Sequence, residues 1–338
     1  MIKKCIFWLL YLSLPFGKKA YIIGTPVHRN IGDSAIALAE KALLTGILKK
    51  NRVKEITYEE FLNNQTVINK LIRSKRLICG MGGGNFGNLW YEEECIRYQL
   101  IDSFPNNPIV IFPQTVCFSK DEKGRKAIEE SKRHYEKPNH LTIVARDKTS
   151  FELLKELYHK PAKMLTPDIV LSSTMDDYGV VSRRRSGGLL VFRNDAEKAM
   201  TDQERQIIID YLNVNDIPFR TTDMYSDEPV SKKNRKQLVS KKMQEFADAE
   251  FVITDRLHGM IFAAITGTPC IVFSNNHHKI TEAYEWISYL EYICYADKTE
   301  EAISVLPKLI RMKKDKFDNK PLINRFELLV EDIKKNVN

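Results

Sequence analysis

The sequence predicts an α/β fold: two Rossmann-like domains, each a parallel sheet covered on both faces by helices. Three observations carry this. The chain has 338 residues, more than one average hydrophobic core, so two domains of roughly 150 residues are expected. Short apolar runs of strand length alternate with longer stretches of helical periodicity, and strand followed by helix is the mark of a parallel sheet. Composition is globular, 43% apolar and 28% charged, without a low-complexity tract.

In the first half, Ala20–Gly24, Lys75–Cys79, Ile109–Phe112 and Leu141–Ala145 read as buried strands. The first leads through a polar loop into a helix with apolar positions at Ile36, Ala39, Leu43 and Ile47. Asp33 is either the cap of that helix or a carboxylate facing an acceptor hydroxyl. His28, Arg29 and Asn30 lie in the same loop and are candidate acceptor contacts. The loop lacks GxGxxG, so the dinucleotide fingerprint is absent. The strand ending at Cys79 runs into Gly80–Asn88, where Gly82, Gly83, Gly84 and Asn85 are candidates to cradle an anion with backbone N–H groups. No Lys-Ser/Thr follows, so it is not a Walker loop. Gln114 leaves the Ile109–Phe112 strand and Arg146 ends the next. A polar stretch over 171–187, with the solvated triplet Arg183-Arg184-Arg185, reads as linker. The expected domains are 1–175 and 186–338, the last helix crossing back to brace the first.

The second half is organised around Phe251–Thr254 and the polar turn Asp255-Arg256-Leu257-His258-Gly259 behind it. A strand that feeds a helix through so short a turn places side chains at the carboxyl edge of a parallel sheet, where open α/β folds hold ligands. Arg256 offers a bidentate fork for carboxylate or phosphate. His258 offers proton transfer near neutral pH. Arg193 ends the strand Gly188–Phe192 and, like Arg146, is a candidate to face the same anion. GxSxG is missing, so esterase chemistry has no support. His277 and His278 are adjacent, a poor geometry for one ion, and no metal-ligand pattern appears elsewhere; His277 is read as a loop residue near the acceptor.

The net charge of +8 suits anionic substrates or an anionic membrane face. No zinc finger or other nucleic-acid motif is present, so nucleic acid is not an expected partner. The six cysteines lack CxxC spacing and read as reduced thiols of a cytoplasmic protein. Met1–Phe16 has two lysines before an apolar core of about a dozen residues, too short to span a bilayer. It packs on the first domain, lies on the inner membrane face with Phe7 and Trp8 as anchors, or is a secretion signal without a recognisable cleavage site.

Taken in order, Asn30-Ile31-Gly32-Asp33, Gly80–Gly87, Phe112-Pro113-Gln114-Thr115, Ala145-Arg146-Asp147, Arg193 and above all Ile253–Gly259 resemble the polysaccharide pyruvyl transferase family. The resemblance implies two Rossmann-like domains facing a cleft, in a GT-B-like architecture. It implies transfer of a pyruvyl group from phosphoenolpyruvate, as co-substrate and without a further cofactor, to a sugar of a cell-surface polysaccharide or a lipid-linked oligosaccharide precursor, giving a ketal. The family's Arg-x-His motif falls on Arg256 and His258. It implies that Arg256 holds the donor's phosphate or carboxylate and that His258 manages its protons. Arg193 and Arg146 match more loosely as further anion clamps. A glycosyltransferase with a nucleotide-sugar donor is the alternative, because it would use the same glycines and arginines.

Overall fold

The computed structural model describes residues 19–337 apart from 196, 197, 199, 275–278, 313 and 314. The expectations placed on residues 1–16 and on His277 lie outside these. The chain divides into two compact units: residues up to 27, 36–169 and from 323 onward form one, and 28–35 with 170–322 form the other.

The first unit holds β1 (Ala20–Thr25), β2 (Val53–Thr57), β3 (Leu77–Gly80), β4 (Gly83–Gly87), β5 (Ile109–Cys117), β6 (Leu141–Ala145) and β7 (Ala162–Leu165). They pair in parallel in the order β2-β1-β3-β5-β6-β7, with β4 on β5. Every residue of β1 and β6 is buried, as strands covered on both faces must be. The core gathers Tyr21, Ile78, Ile111 and Ile143 with Phe61, Tyr135 and Leu154 from the helices. The helix Glu327–Val337 belongs to this unit, where Asp332 accepts a hydrogen bond from Thr142 Oγ1 at 3.0 Å and the Val337 carbonyl accepts one from Lys19 Nζ at 2.9 Å.

The second unit holds β8 (Gly188–Val191), β9 (Phe219–Thr222), β10 (Phe251–Thr254), β11 (Cys270–Phe273) and β12 (Ile293–Ala296), parallel in the order β12-β11-β10-β8-β9. Leu190, Phe251, Ile253 and Ile271 pack with Ile208, Leu212, Leu306 and Leu309. The chain steps from β8 outward to β9, then returns to the other side of β8 for β10. That makes the β8/β10 gap a topological switch point, where the loops leaving the two carboxyl ends diverge and open a crevice. Residues 193–195 and 255–256 lie in those two loops, and the helix Leu257–Thr266 follows the second.

Residues 171–187 are more structured than a linker. They include a short helix, Met175–Tyr178, and Arg185 donates to the carbonyl of Gly267 at 2.9 Å and to Thr268 Oγ1 at 3.1 Å. Arg185 therefore caps the carboxyl end of the helix Leu257–Thr266, where orphan carbonyls favour a cation, while Arg183 and Arg184 stay exposed. Among the described residues, no helix is long and apolar enough to cross a membrane.

Candidate active site

The turn after β10 is fixed residue by residue. Thr254 Oγ1 donates to the Val191 carbonyl of β8 at 2.7 Å and accepts from the Arg256 amide at 3.0 Å, which ties the two strand ends at the switch point. Asp255, fully buried, accepts from the Arg193 amide at 2.8 Å and from Arg205 at 3.1 Å. Burial raises its pKa, and the Arg193 amide and the arginine charges oppose that rise. Arg256 precedes the first turn of the helix Leu257–Thr266, and His258 is in that turn. Gly259 follows because a Cβ there would lie 2.4 Å from Thr254 Oγ1.

Arg256 is 6% exposed and held by two carboxylates. Asp223 takes its Nε and one terminal nitrogen, each at 2.9 Å, and Asp195 takes the other terminal nitrogen at 2.7 Å. The guanidinium also lies 5.6 Å from the ring centroid of Tyr225. Asp195 in turn receives Arg193, at 2.8 Å from Nε and 3.2 Å from a terminal nitrogen. Burial alone would raise the Asp195 carboxyl; the hydrogen bonds and charges of Arg193 and Arg256 outweigh it and pull the carboxyl down to about 2. Three guanidiniums, of Arg193, Arg205 and Arg256, thus meet three carboxylates, of Asp195, Asp223 and Asp255. The cluster is charge-balanced among the described residues. Among the described residues, three of the five N–H donors of Arg256 are engaged by Asp195 and Asp223.

The loop with Asn30 and Asp33 joins the same cluster. Asn30 and Tyr225 form an antiparallel bridge, with the Ile31 amide donating to the Met224 carbonyl and the Ser226 amide to the Arg29 carbonyl, both at 2.8 Å. Asn30 Oδ1 accepts from the Gly32 amide at 2.8 Å and so caps the helix Ile31–Ile47. Asn30, rather than Asp33, is thus the capping side chain. That leaves Asp33 half exposed, with its carboxylate 3.6 Å from His28 Nε2. The ring of His258 lies against Gly32. One connected group therefore contains His28, Asn30, Asp33, Arg193, Arg256 and His258, and adds Asp195, Asp223 and Tyr225. Asp223 and Tyr225 escaped the sequence reading, although Asp223 directly follows β9 as Arg193 follows β8, and that polar residue after a strand was the available signal. Arg29 takes part through its main chain, its side chain being exposed.

The other candidates stand in the first unit. Arg146 is buried against Asp168, 2.7 Å away, and donates to Thr115 Oγ1 at 2.9 Å. Gln114 is buried and donates to the Met81 carbonyl at 2.6 Å. The glycine run is a strand over Gly83–Gly87 instead of a loop. Its flanking amides are taken by carboxylates of the chain: Gly82 donates to Glu40 at 2.7 Å and Gly87 to Glu94 at 3.2 Å. Asn85 bridges Glu93 and Arg97. A Cβ on Gly87 would meet the Cys117 carbonyl at 1.9 Å, so this glycine serves the close approach of β4 to β5. A Cβ on Gly83, whose φ is +146°, would meet only Asn85 Oδ1, at 3.9 Å. Gly84 is partly exposed in the same strand. Among the described residues, no group of three or more His, Cys, Asp or Glu is placed to hold a metal ion.

Residues 30–277 match the family described as Polysaccharide pyruvyl transferase. General stress protein 30 of Bacillus subtilis is 30% identical over 324 residues, covering 91% of each chain. Pyruvyl transferase 1 of Schizosaccharomyces pombe is 31% identical over 286 residues, covering 80% of this chain and 70% of that one. A solved Klebsiella pneumoniae protein of uncharacterised function is similar in fold, with a TM-score of 0.59 at 17% identity over 87% of this chain and 98% of that one. GT-B glycosyltransferases and epimerases are among the structural neighbours, which agrees with an α/β fold of two parallel sheets. With the signature turn at the switch point of its second sheet, this chain is an enzyme that belongs to the polysaccharide pyruvyl transferase family.

Proposed function

We propose that the enzyme transfers the pyruvyl group of phosphoenolpyruvate to a sugar of a cell-surface polysaccharide or its lipid-linked precursor, and that it does so on the cytoplasmic side of the membrane. The observation that carries this reading is the single connected group of arginines, histidines and Asp33 at one sheet edge. The donor carries a phosphate and a carboxylate. Arg256 and Arg193 hold these anions. His258 delivers a proton to the donor's methylene carbon, which becomes a methyl group. The adjacent carbon becomes electrophilic and one sugar hydroxyl adds to it, its proton taken by Asp33 with His28. Phosphate then leaves, a second hydroxyl closes the ketal, and the second hydroxyl proton goes to the departing phosphate. Prepaid orientation and fixed charge are the expected sources of rate. Asn30, Gln114 and His277 are kept as acceptor contacts, and Gly82–Asn85 with Arg146 as a secondary anion site.

The test is to incubate the enzyme with extracted surface glycan and either phosphoenolpyruvate or a panel of nucleotide sugars. Glycan-dependent phosphate release, with a methyl-bearing ketal in the product, is expected. Nucleotide release would move the enzyme to glycosyl transfer.

A further inference from the structure

The signature turn does not hold itself in place. Four residues after the edge strand β9, Asp223 to Ser226, touch both halves of the proposed chemistry. Asp223 grips Arg256 through two 2.9 Å hydrogen bonds. The Met224 carbonyl and the Ser226 amide each make a 2.8 Å bond to the loop that carries His28 and Asp33. Between them, the Tyr225 ring faces the guanidinium, 47% exposed.

We propose that Asp223–Ser226 is a positioning strap: it sets the angle of the Arg256 guanidinium and the place of the His28–Asp33 loop with the same few atoms. The roles of the groups it positions rest on the pyruvyl-transfer reading; the strap itself rests on the contacts. A carboxylate on an anion-binding arginine weakens that arginine's net pull on a donor. What it adds is direction, because a bidentate pair fixes the guanidinium plane. Removing it therefore separates catalysis from binding. An error of about 1 Å in such a site costs on the order of 10²-fold in rate.

Asp223→Asn keeps the size and turns an N–H₂ toward the guanidinium. The expected result is a fall in kcat of on the order of 10²-fold with the KM for phosphoenolpyruvate changed less than about threefold, and partial recovery in Asp223→Glu. Hydrogen exchange gives a second readout that needs no donor. The amides of Ile31 and Ser226 are expected to exchange at least about tenfold faster in Asp223→Asn, while those of β5 keep their wild-type rates. Unchanged exchange at Ile31 and Ser226 would overturn the strap whatever happens to kcat, as would an unchanged kcat in an enzyme that transfers pyruvate. Should wild-type enzyme release no phosphate, the donor reading fails and the exchange measurement still decides the strap.

Discussion

The imidazole of His258 rests on the bare α-carbon of Gly32: a Cβ built there would lie 2.4 Å from Nδ1 and 2.7 Å from Cγ. The two residues are 226 positions apart in sequence, and each lies in the first turn of its own helix. Gly32→Ala is therefore expected to displace the ring. Alanine is the better helix former by about 1 kcal/mol, which offsets part of the steric cost of roughly 1–3 kcal/mol. The expected outcome is a small change in melting temperature with a rate loss of about 10–100-fold. Kinetics beside a thermal melt checks this, and a variant of normal rate would show that the ring needs no such support.

His258→Ala removes the proposed acid from a half-buried position at the start of a helix whose later residues carry the core contacts. General acid–base groups are worth about 10²–10⁴-fold, and kcat is expected to fall by that much while the melting temperature moves by no more than about 3 °C. Retention of a near-normal kcat would remove His258 from the chemistry.

Two carboxylates of the cluster, the partly exposed Asp195 and the buried Asp255, have opposite pH signatures. Asp195 is held at about 2 in the folded enzyme, below its unfolded value of about 3.9. Its stabilising contribution is therefore complete above the unfolded value and is lost as pH falls through the folded one. Asp255 is raised by burial, so its burden on the fold grows as pH rises above its unfolded value. Urea unfolding of wild type and Asp195→Asn isolates the first effect. The stability difference is expected to be constant from pH 7 to about 5 and to shrink between about pH 4 and 2. A difference that grows on acidification would contradict the assignment.

How far the sequence carried can be judged from particular residues. β1, β6, β10 and the Ile109–Phe112 part of β5 are nearly uniform apolar runs buried on both faces, so periodicity and length found them. β5 itself continues through Gln114 to Cys117, a polar stretch that read as leaving the strand. β2 was missed because Val53-Lys54-Glu55-Ile56-Thr57 carries two charges on an edge strand. β12, at the other sheet's edge, hid in a mixed run with Cys294 and Tyr295. The turn from Asp255 to Gly259 was legible because a strand ending in charged residues is a local pattern. The partners of Arg256 were not, since Asp195 and Asp223 come to it from 61 and 33 positions away and local spacing carries no pairing information. The glycine run was read as a loop, and is a strand, for a related reason. Glycine signals close approach, and here what approaches is the neighbouring strand β5 at Cys117 and the carboxylate of Glu40 at Gly82.

Arg146 separates a structural arginine from a donor-binding one. Its terminal nitrogen lies 2.7 Å from Asp168, and the two side chains are only 5% and 2% exposed. Removing one partner of such a pair strands the other charge in the interior, at a cost of about 3–5 kcal/mol. Replacing both by apolar groups of similar size costs far less, because no charge is left behind. Arg146→Ala is therefore expected to lower stability by that amount, and Arg146→Met with Asp168→Leu to recover most of it. If Arg146 serves the fold alone, the double variant also recovers transfer activity. If it holds the donor as well, the double variant regains stability and keeps a raised KM for phosphoenolpyruvate. Denaturant melts and steady-state kinetics on the single and double variants decide between these.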